Sequence, residues 1–146
     1  MQKKGVVIFD FGSQYTQLIA RRVRELNVYS EVLSPDTNLD QIKRRDPSAI
    51  ILSGGPSSVF ADEAPNFDKR IFDIKIPILG ICYGLQLLAH HYGGLVESNS
   101  QGEYGLAEIE IDNNKKLFKN VSKRSQVWMS HMDRVTKIPE GWHTLA

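Results

Sequence analysis

Residues 80–84 read Gly-Ile-Cys-Tyr-Gly, and Cys82 is the only cysteine in a chain of 146 residues. A lone cysteine builds no intramolecular disulfide, so it is either a small buried hydrophobe or a reactive thiol. The spacing points to the thiol. A nucleophile on a strained strand-to-helix turn needs glycine on both sides, because β-carbons would collide there, and Gly80 and Gly84 occupy those places. A helix N-terminus beneath the sulfur favours thiolate, so a lowered pKa is expected. A structural cysteine packed into the same turn is the alternative. A second turn, Ser53-Gly54-Gly55-Pro56, offers backbone N–H groups that, together with the amide of Tyr83, would stabilise the charge of a tetrahedral intermediate. It lacks the Gly-Lys-Ser/Thr ending of a phosphate-binding loop, and a plain tight turn needs no ligand.

A thiol nucleophile works with a histidine base and an acidic orienter, and the chain has four histidines. His90 and His91 lie about 12 Å beyond Cys82 along the helix that follows it, at roughly 1.5 Å per residue, and cannot touch the thiol. His143, in Gly-Trp-His-Thr, has nothing that sets it apart from an exposed loop residue. His131, in Trp128-Met129-Ser130-His131-Met132-Asp133, has an acid two residues on. His131 with Asp133 completes a triad, or an exposed polar turn accounts for both.

The elements that must position these residues follow from the hydrophobic pattern. Gly5 to Phe9 reads as a strand and Ser13 to Leu26 as an amphipathic helix, with Leu18, Ile19, Val23 and Leu26 on or near one face. Tyr29 to Leu33 and Ala49 to Leu52 are predicted strands, with a short helix at Leu39 to Arg45 between them. Beyond the glycine turn, the pattern predicts a helix over Asn66 to Ile74, a strand over Ile76 to Ile81 and a helix from Tyr83 to Tyr92 stopped by Gly93 and Gly94. Such alternation predicts a three-layer, flavodoxin-like α/β fold, a mostly parallel sheet with helices on both faces. Its ligands gather at the carboxyl ends of the strands, where Cys82 and Ser53-Gly54-Gly55-Pro56 both fall. After residue 94 the texture changes: Leu106 to Ile111 and Gln126 to Val135 read as strands, with a short helix at Lys115 to Phe118, and are expected as extra strands at one edge of the sheet.

Composition narrows the function classes. With 41% hydrophobic residues the chain is long enough for one substantial core, and a single domain over residues 1–146 is the expectation. Eighteen Lys and Arg face seventeen Asp and Glu, so no broad electrostatic footprint argues for nucleic acid or an anionic membrane. The apolar run near the N-terminus is shorter than a signal peptide's core and nothing approaches a membrane span, so a cytoplasmic protein is expected.

The segments DFGSQYTQLIARRVR (10–24), SGGPSSV, LGICYGLQLLA, GEYGLAEI and VWMSHMDRV together resemble the class I glutamine amidotransferase domains of the GMP synthetase family, nearly end to end. The resemblance implies that Cys82 attacks the side-chain amide of glutamine, releasing ammonia and leaving a thioester that water hydrolyses. It implies backbone oxyanion donors at Gly55 and Tyr83, and substrate contacts from Gly54, Gly55, Pro56, Gln86, Ser130 and His131. His131 and Asp133 are thereby demoted as catalysts, because the family's histidine and glutamate come from a His-Pro-Glu segment, and no His-x-Glu occurs in this sequence. The chain is therefore expected to be a C-terminally truncated amidotransferase domain, its fold incomplete and its activity alone poor. The implied partner is a synthetase domain or subunit, missing from this chain, that uses ATP and Mg to aminate XMP to GMP; the amidotransferase part itself needs no cofactor or metal. A homodimer through the missing region is a further expectation. The competing readings are another thiol hydrolase on the same fold, such as a γ-glutamyl hydrolase or a PfpI-like peptidase, and a non-catalytic flavodoxin-like binding module.

Overall fold

The computed structural model describes residues 4–112 and 116–146. They form two compact units, Met1–His91 and Tyr92–Ala146, and the division falls close to the change of texture that the sequence shows after residue 94.

The first unit alternates strand and helix: β1 (Val6–Phe9), α1 (Thr16–Glu25), β2 (Ser30–Leu33), α2 (Leu39–Arg45), β3 (Ala49–Leu52), a 3-10 turn at Lys69–Asp73, β4 (Ile78–Gly80) and α3 (Tyr83–His91). Its sheet has the order β2-β1-β3-β4, with every pair parallel. Register aligns the strand ends, because Phe9 pairs with both Leu33 and Leu52, and Leu52 pairs with Gly80. Whatever follows β1, β3 and β4 therefore leaves the sheet at one edge.

Both faces of the sheet are covered, as the short β-branched runs of β1 and β3 require. Val7, Phe9, Ile50 and Leu52 share one face and join Ile42 of α2, Leu87 and Leu88 of α3, and Phe67, Ile71 and Phe72 in one buried cluster. Ile8 alternates to the other face, and α1 packs on β1 and β2 with Thr16 and Ala20 buried one turn apart. Burying each of these apolar side chains fully contributes roughly 1.5–3 kcal/mol. Local chemistry sets the helix ends. Asp10 Oδ1 accepts hydrogen bonds from Gly12 N (3.0 Å) and Thr16 Oγ1 (2.9 Å), fixing the entry to α1. Asn38 and Gln41 form a reciprocal capping box at the start of α2, a device worth about 1 kcal/mol.

The segment expected as a helix over Asn66 to Ile74 folds only as the 3-10 turn. Asp68 diverts it: its carboxylate accepts from Arg70 N and from Leu39 N of α2, while Phe67, Ile71 and Phe72 are all drawn into the core. Side chain-to-backbone bonds of this kind compete with the α-helical ladder.

The second unit is a long antiparallel pair, β5 (Leu95–Glu110) and β6 (Arg124–Lys137), with a 3-10 turn at Lys116–Phe118. The predicted strands lie inside these, and Lys115 of the predicted helix lies outside the described residues. The expectation of extra strands at one edge of the parallel sheet is corrected here: among the described residues, β5 and β6 pair with each other as a separate two-stranded sheet. They are long enough to satisfy one another's backbone groups from Leu95↔Lys137 to Glu110↔Arg124, with irregularities after Leu95 and Ser98. No helix among the described residues is long and apolar enough to cross a membrane.

Candidate active site

The turn around Cys82 is built by backbone geometry. The β3–β4 ladder runs one residue past Gly80, with Ile81 N donating to Leu52 O at 3.0 Å. Cys82 then takes φ +48°, a left-handed conformation that L side chains rarely adopt. Gln86 N donates to Cys82 O at 3.0 Å and starts the ladder of α3, while Gly84 N is shared between the carbonyls of Ser53 (3.1 Å) and Ile81 (3.0 Å). Both flanking glycines are required by close approach. A Cβ at Gly80 would lie 2.6 Å from Leu85 N, and one at Gly84 would overlap the Leu52 carbonyl oxygen and stand 2.5 Å from Leu52 Cβ. The tight strand-to-helix turn expected from the spacing is thus present, with Cys82 at the strained position.

The glycine turn after β3 comes to the same place. Gly54 is buried, and a Cβ on it would stand 3.3 Å from Cys82 Cβ. Gly55 rests against the Phe11 carbonyl so closely that a Cβ would overlap it, and Pro56 abuts Gly12, which has φ +95°. The β1–α1 loop therefore backs the Ser53–Pro56 turn. That wall was not singled out from the sequence, although its position at the carboxyl end of β1 was the available signal. Beneath lies an aromatic floor: the Tyr83 ring, 2% exposed, packs on Phe11 with centroids 5.1 Å apart, and Phe11 packs on Phe67 at 5.7 Å. Burial pushes the Tyr83 phenol above its ordinary pKa. Its backbone N–H, in the first position of α3, has no intrahelical acceptor. Among the described residues, the amides of Tyr83 and Gly55 are donors at the strand edge that the sheet does not consume. Gln86 is buried one helical turn beyond Cys82, at the spacing that shares a helix face.

The thiol differs from expectation in one respect. Cys82 is exposed as a residue, yet the chain packed around its sulfur desolvates the charged form and pushes its pKa up. The helix N-terminus acts the other way, but burial sets the direction of the shift. The lowered pKa expected from the helix start is corrected accordingly.

The histidines fall as the helix geometry requires. His90 sits edge-on to Phe60 with centroids 5.2 Å apart, and His91 packs on Phe72 at 4.7 Å. Burial, and then the charge of Lys69, hold His91 below the usual histidine pKa. Within the second unit, His131 Nδ1 lies 2.9 Å from the backbone oxygen of Asp133 and Nε2 lies 3.1 Å from Glu103 Oε2. The His131–Asp133 dyad considered from the sequence therefore does not form through carboxylate and imidazole. The acid on the ring is Glu103, which stands opposite His131 in the β5–β6 register, and both ring nitrogens are engaged within the hairpin. Ser130, opposite Tyr104, is exposed. As successive strand residues, Ser130 and His131 present their side chains to opposite faces.

Among the described residues, no group of three or more His, Cys, Asp or Glu side chains is arranged to hold a metal ion. The site's means are a thiol on a strained turn, two backbone donors and a closely packed wall, which is equipment for attack on a carbonyl-type carbon with stabilisation of the oxyanion.

Comparison with known proteins agrees with that chemistry. The chain is 54% identical to the glutamine-hydrolysing GMP synthase of Campylobacter lari over 146 residues, which is all of this chain and 29% of that protein. It is 51% identical to the corresponding protein of Aquifex aeolicus over 146 residues, again 29% of its length. The chain thus spans less than a third of the curated relatives it matches. Among solved structures, a putative GMP synthase subunit from Thermoplasma acidophilum superposes with a TM-score of 0.78 at 27% identity, covering 96% of this chain and 70% of that one. A glutamine amidotransferase from Thermotoga maritima shares the fold, with a TM-score of 0.70 at 23% identity over 96% of this chain and 65% of its own. The family model of class-I glutamine amidotransferases matches residues 7–146, from β1 through both units. That match covers all but the first six residues, and the chain belongs to the class-I glutamine amidotransferases.

Proposed function

We propose that this chain hydrolyses glutamine to glutamate and ammonia as the amidotransferase part of a GMP synthase. The observation that carries the reading is Cys82 at φ +48°, held between two sterically required glycines and against Gly54, in a chain 54% identical to glutamine-hydrolysing GMP synthases. The Cys82 sulfur, as thiolate, forms a bond to the side-chain amide carbon of glutamine. The carbonyl π pair moves to oxygen, where the amides of Gly55 and Tyr83 stabilise it. Collapse of the intermediate expels nitrogen, which takes up the proton released when the thiol ionised and leaves as ammonia, and a γ-glutamyl thioester remains on Cys82. Water adds to the thioester, sulfur leaves, and glutamate is released.

Gly54, Gly55 and Pro56 line the approach to the reacting carbon, and Gln86 is a substrate contact from α3. Ser130 and His131 are the residues that the family resemblance assigns to the amino-acid end of glutamine. The triad's histidine and glutamate are not among these residues, since the sequence contains no His-x-Glu. The ammonia serves a synthetase domain or subunit that aminates XMP with ATP and Mg, and the protein works in the cytoplasm. The amidotransferase part uses no cofactor of its own. The names of the relatives favour this reading over a γ-glutamyl hydrolase, a peptidase or a non-catalytic module.

The test is capture of the acyl-enzyme. The native enzyme is mixed with glutamine, quenched in acid and digested, and the peptide carrying Cys82 is weighed. A mass increase of one glutamyl group, removed by hydroxylamine, is expected. Label found only on other peptides overturns the reading.

A further inference from the structure

Ser53 has no solvent exposure and ties three segments of the site together. Its N–H donates to Phe9 O at 3.1 Å, its carbonyl accepts from Gly84 N at 3.1 Å, and its hydroxyl bonds both Phe11 N (2.9 Å) and Gly54 O (2.8 Å). The direction of those last two bonds is fixed. A backbone N–H only donates, so Ser53 Oγ accepts from Phe11, and its single proton goes to the Gly54 carbonyl.

The Gly54 carbonyl and the Gly55 N–H belong to one peptide unit. That unit is trans, and in a planar trans peptide the C=O and N–H point in opposite directions. Holding the carbonyl on the Ser53 side therefore turns the Gly55 N–H to the opposite side. The bond matters because a peptide between two glycines is the one least able to resist rotation, having no β-carbon on either side. A rotated unit would present a carbonyl oxygen, a repulsive group, in place of the N–H donor.

We propose that Ser53 is a positioning residue that sets the oxyanion-binding amide of Gly55 by locking the Gly54–Gly55 peptide. It acts through the backbone and does not touch the substrate. The proposal rests on the glutamine-hydrolysis reading above, with Gly55 as oxyanion donor.

The test compares the native enzyme with Ser53→Ala and Ser53→Thr in two assays. One is steady-state hydrolysis of glutamine. The other is alkylation of Cys82 by iodoacetamide, a displacement that passes through no oxyanion. Ser53→Ala is expected to lower kcat by roughly ten-fold or more while KM stays within about two-fold and the alkylation rate is unchanged. Ser53→Thr, which keeps the hydroxyl, is expected to restore most of kcat. An unchanged kcat in Ser53→Ala, or a fall in kcat matched by the same fall in alkylation, overturns the proposal. If Ser53→Ala does not fold, Ser53→Cys, close in size but a weak donor, is read the same way, with peptide mapping to follow Cys82 separately. A native enzyme that alkylates at Cys82 yet hydrolyses no glutamine removes the functional reading, and this proposal with it, before any variant is compared.

Discussion

Two opposing influences meet at Cys82. The first turn of α3 favours a negative charge on the sulfur, while the packed chain around the thiol disfavours it, and burial sets the direction of the shift. The sign follows directly: a raised pKa keeps the thiol protonated at neutral pH, so the thiolate fraction rises only as pH climbs past the ordinary cysteine range near 8.5. The rate of iodoacetamide alkylation of this chain, followed against pH, is expected to have its midpoint above that of a free cysteine; a midpoint below it would show that the helix start dominates. A neighbouring imidazolium lowers a thiol pKa, so adding a base to the site would move this midpoint down. The flanking glycine makes a second prediction at this scale. Gly84→Val puts a β-carbon into the Leu52 carbonyl and is expected to cost about 1–3 kcal/mol through overpacking and to cripple glutamine hydrolysis in a protein that still folds by circular dichroism. Wild-type turnover in that variant would remove the elbow. The elbow was legible in the sequence because Gly-x-Cys-x-Gly states its own steric requirement. The partner of His131 was not. Glu103 reaches it only through the antiparallel register of β5 and β6, which no local pattern announces, whereas Asp133, two residues away, looked like the acid. Ser53 was hidden for a similar reason: a serine before two glycines reads as an ordinary turn until the bond to Phe11 N is seen.

At the scale of elements, Asp68 ties the 3-10 turn to α2. Arg70 grips its carboxylate through Nε (2.9 Å) and Nη2 (2.7 Å), and Leu39 N donates to it at 2.9 Å. The Arg70 bond first, and then the Leu39 bond, hold the Asp68 pKa well below the usual carboxylate range. A depressed folded-state pKa contributes stability that is present above the unfolded value near 3.9 and is lost as pH falls toward the folded value. Asp68→Asn is therefore expected to lower the unfolding free energy by roughly 1 kcal/mol at pH 7. The deficit should stay constant down to about pH 4 and shrink below it, as measured by urea unfolding across that range; a deficit that grows on acidification would contradict the assignment. This element also marks where the sequence stopped being informative. β1 and β3 were plain in their β-branched runs, and α2 was placed at Leu39 to Arg45 as observed. The stretch Asn66 to Ile74 carried enough apolar residues for a helix, but the Asp68 bond to Leu39, contributed by a distant element, decided its form. β5 extends back to Leu95 because β6 pairs with it from Leu95 to Ser98 and again from Glu103 to Glu110; Gly102 (φ +63°) lies in the irregularity between the two paired stretches, which no local pattern of apolar residues marks.

For the whole molecule, the parallel order β2-β1-β3-β4 explains how residues far apart in the chain come to one sheet edge. The carboxyl ends of β1, β3 and β4 coincide in register, so the Phe11 loop, the Ser53–Pro56 turn and the Cys82 elbow are delivered to a single edge, as open α/β sheets do with ligand sites. The division of labour proposed for a GMP synthase then separates two nitrogen sources. Glutamine must be opened at Cys82, whereas free ammonia needs no thiol. The most direct test assays the native enzyme and Cys82→Ala for amination of XMP with each donor. The account predicts that Cys82→Ala loses glutamine-dependent amination by a factor of about a thousand or more and keeps the ammonia-dependent rate. Amination that continued at the native rate with glutamine in Cys82→Ala would contradict it.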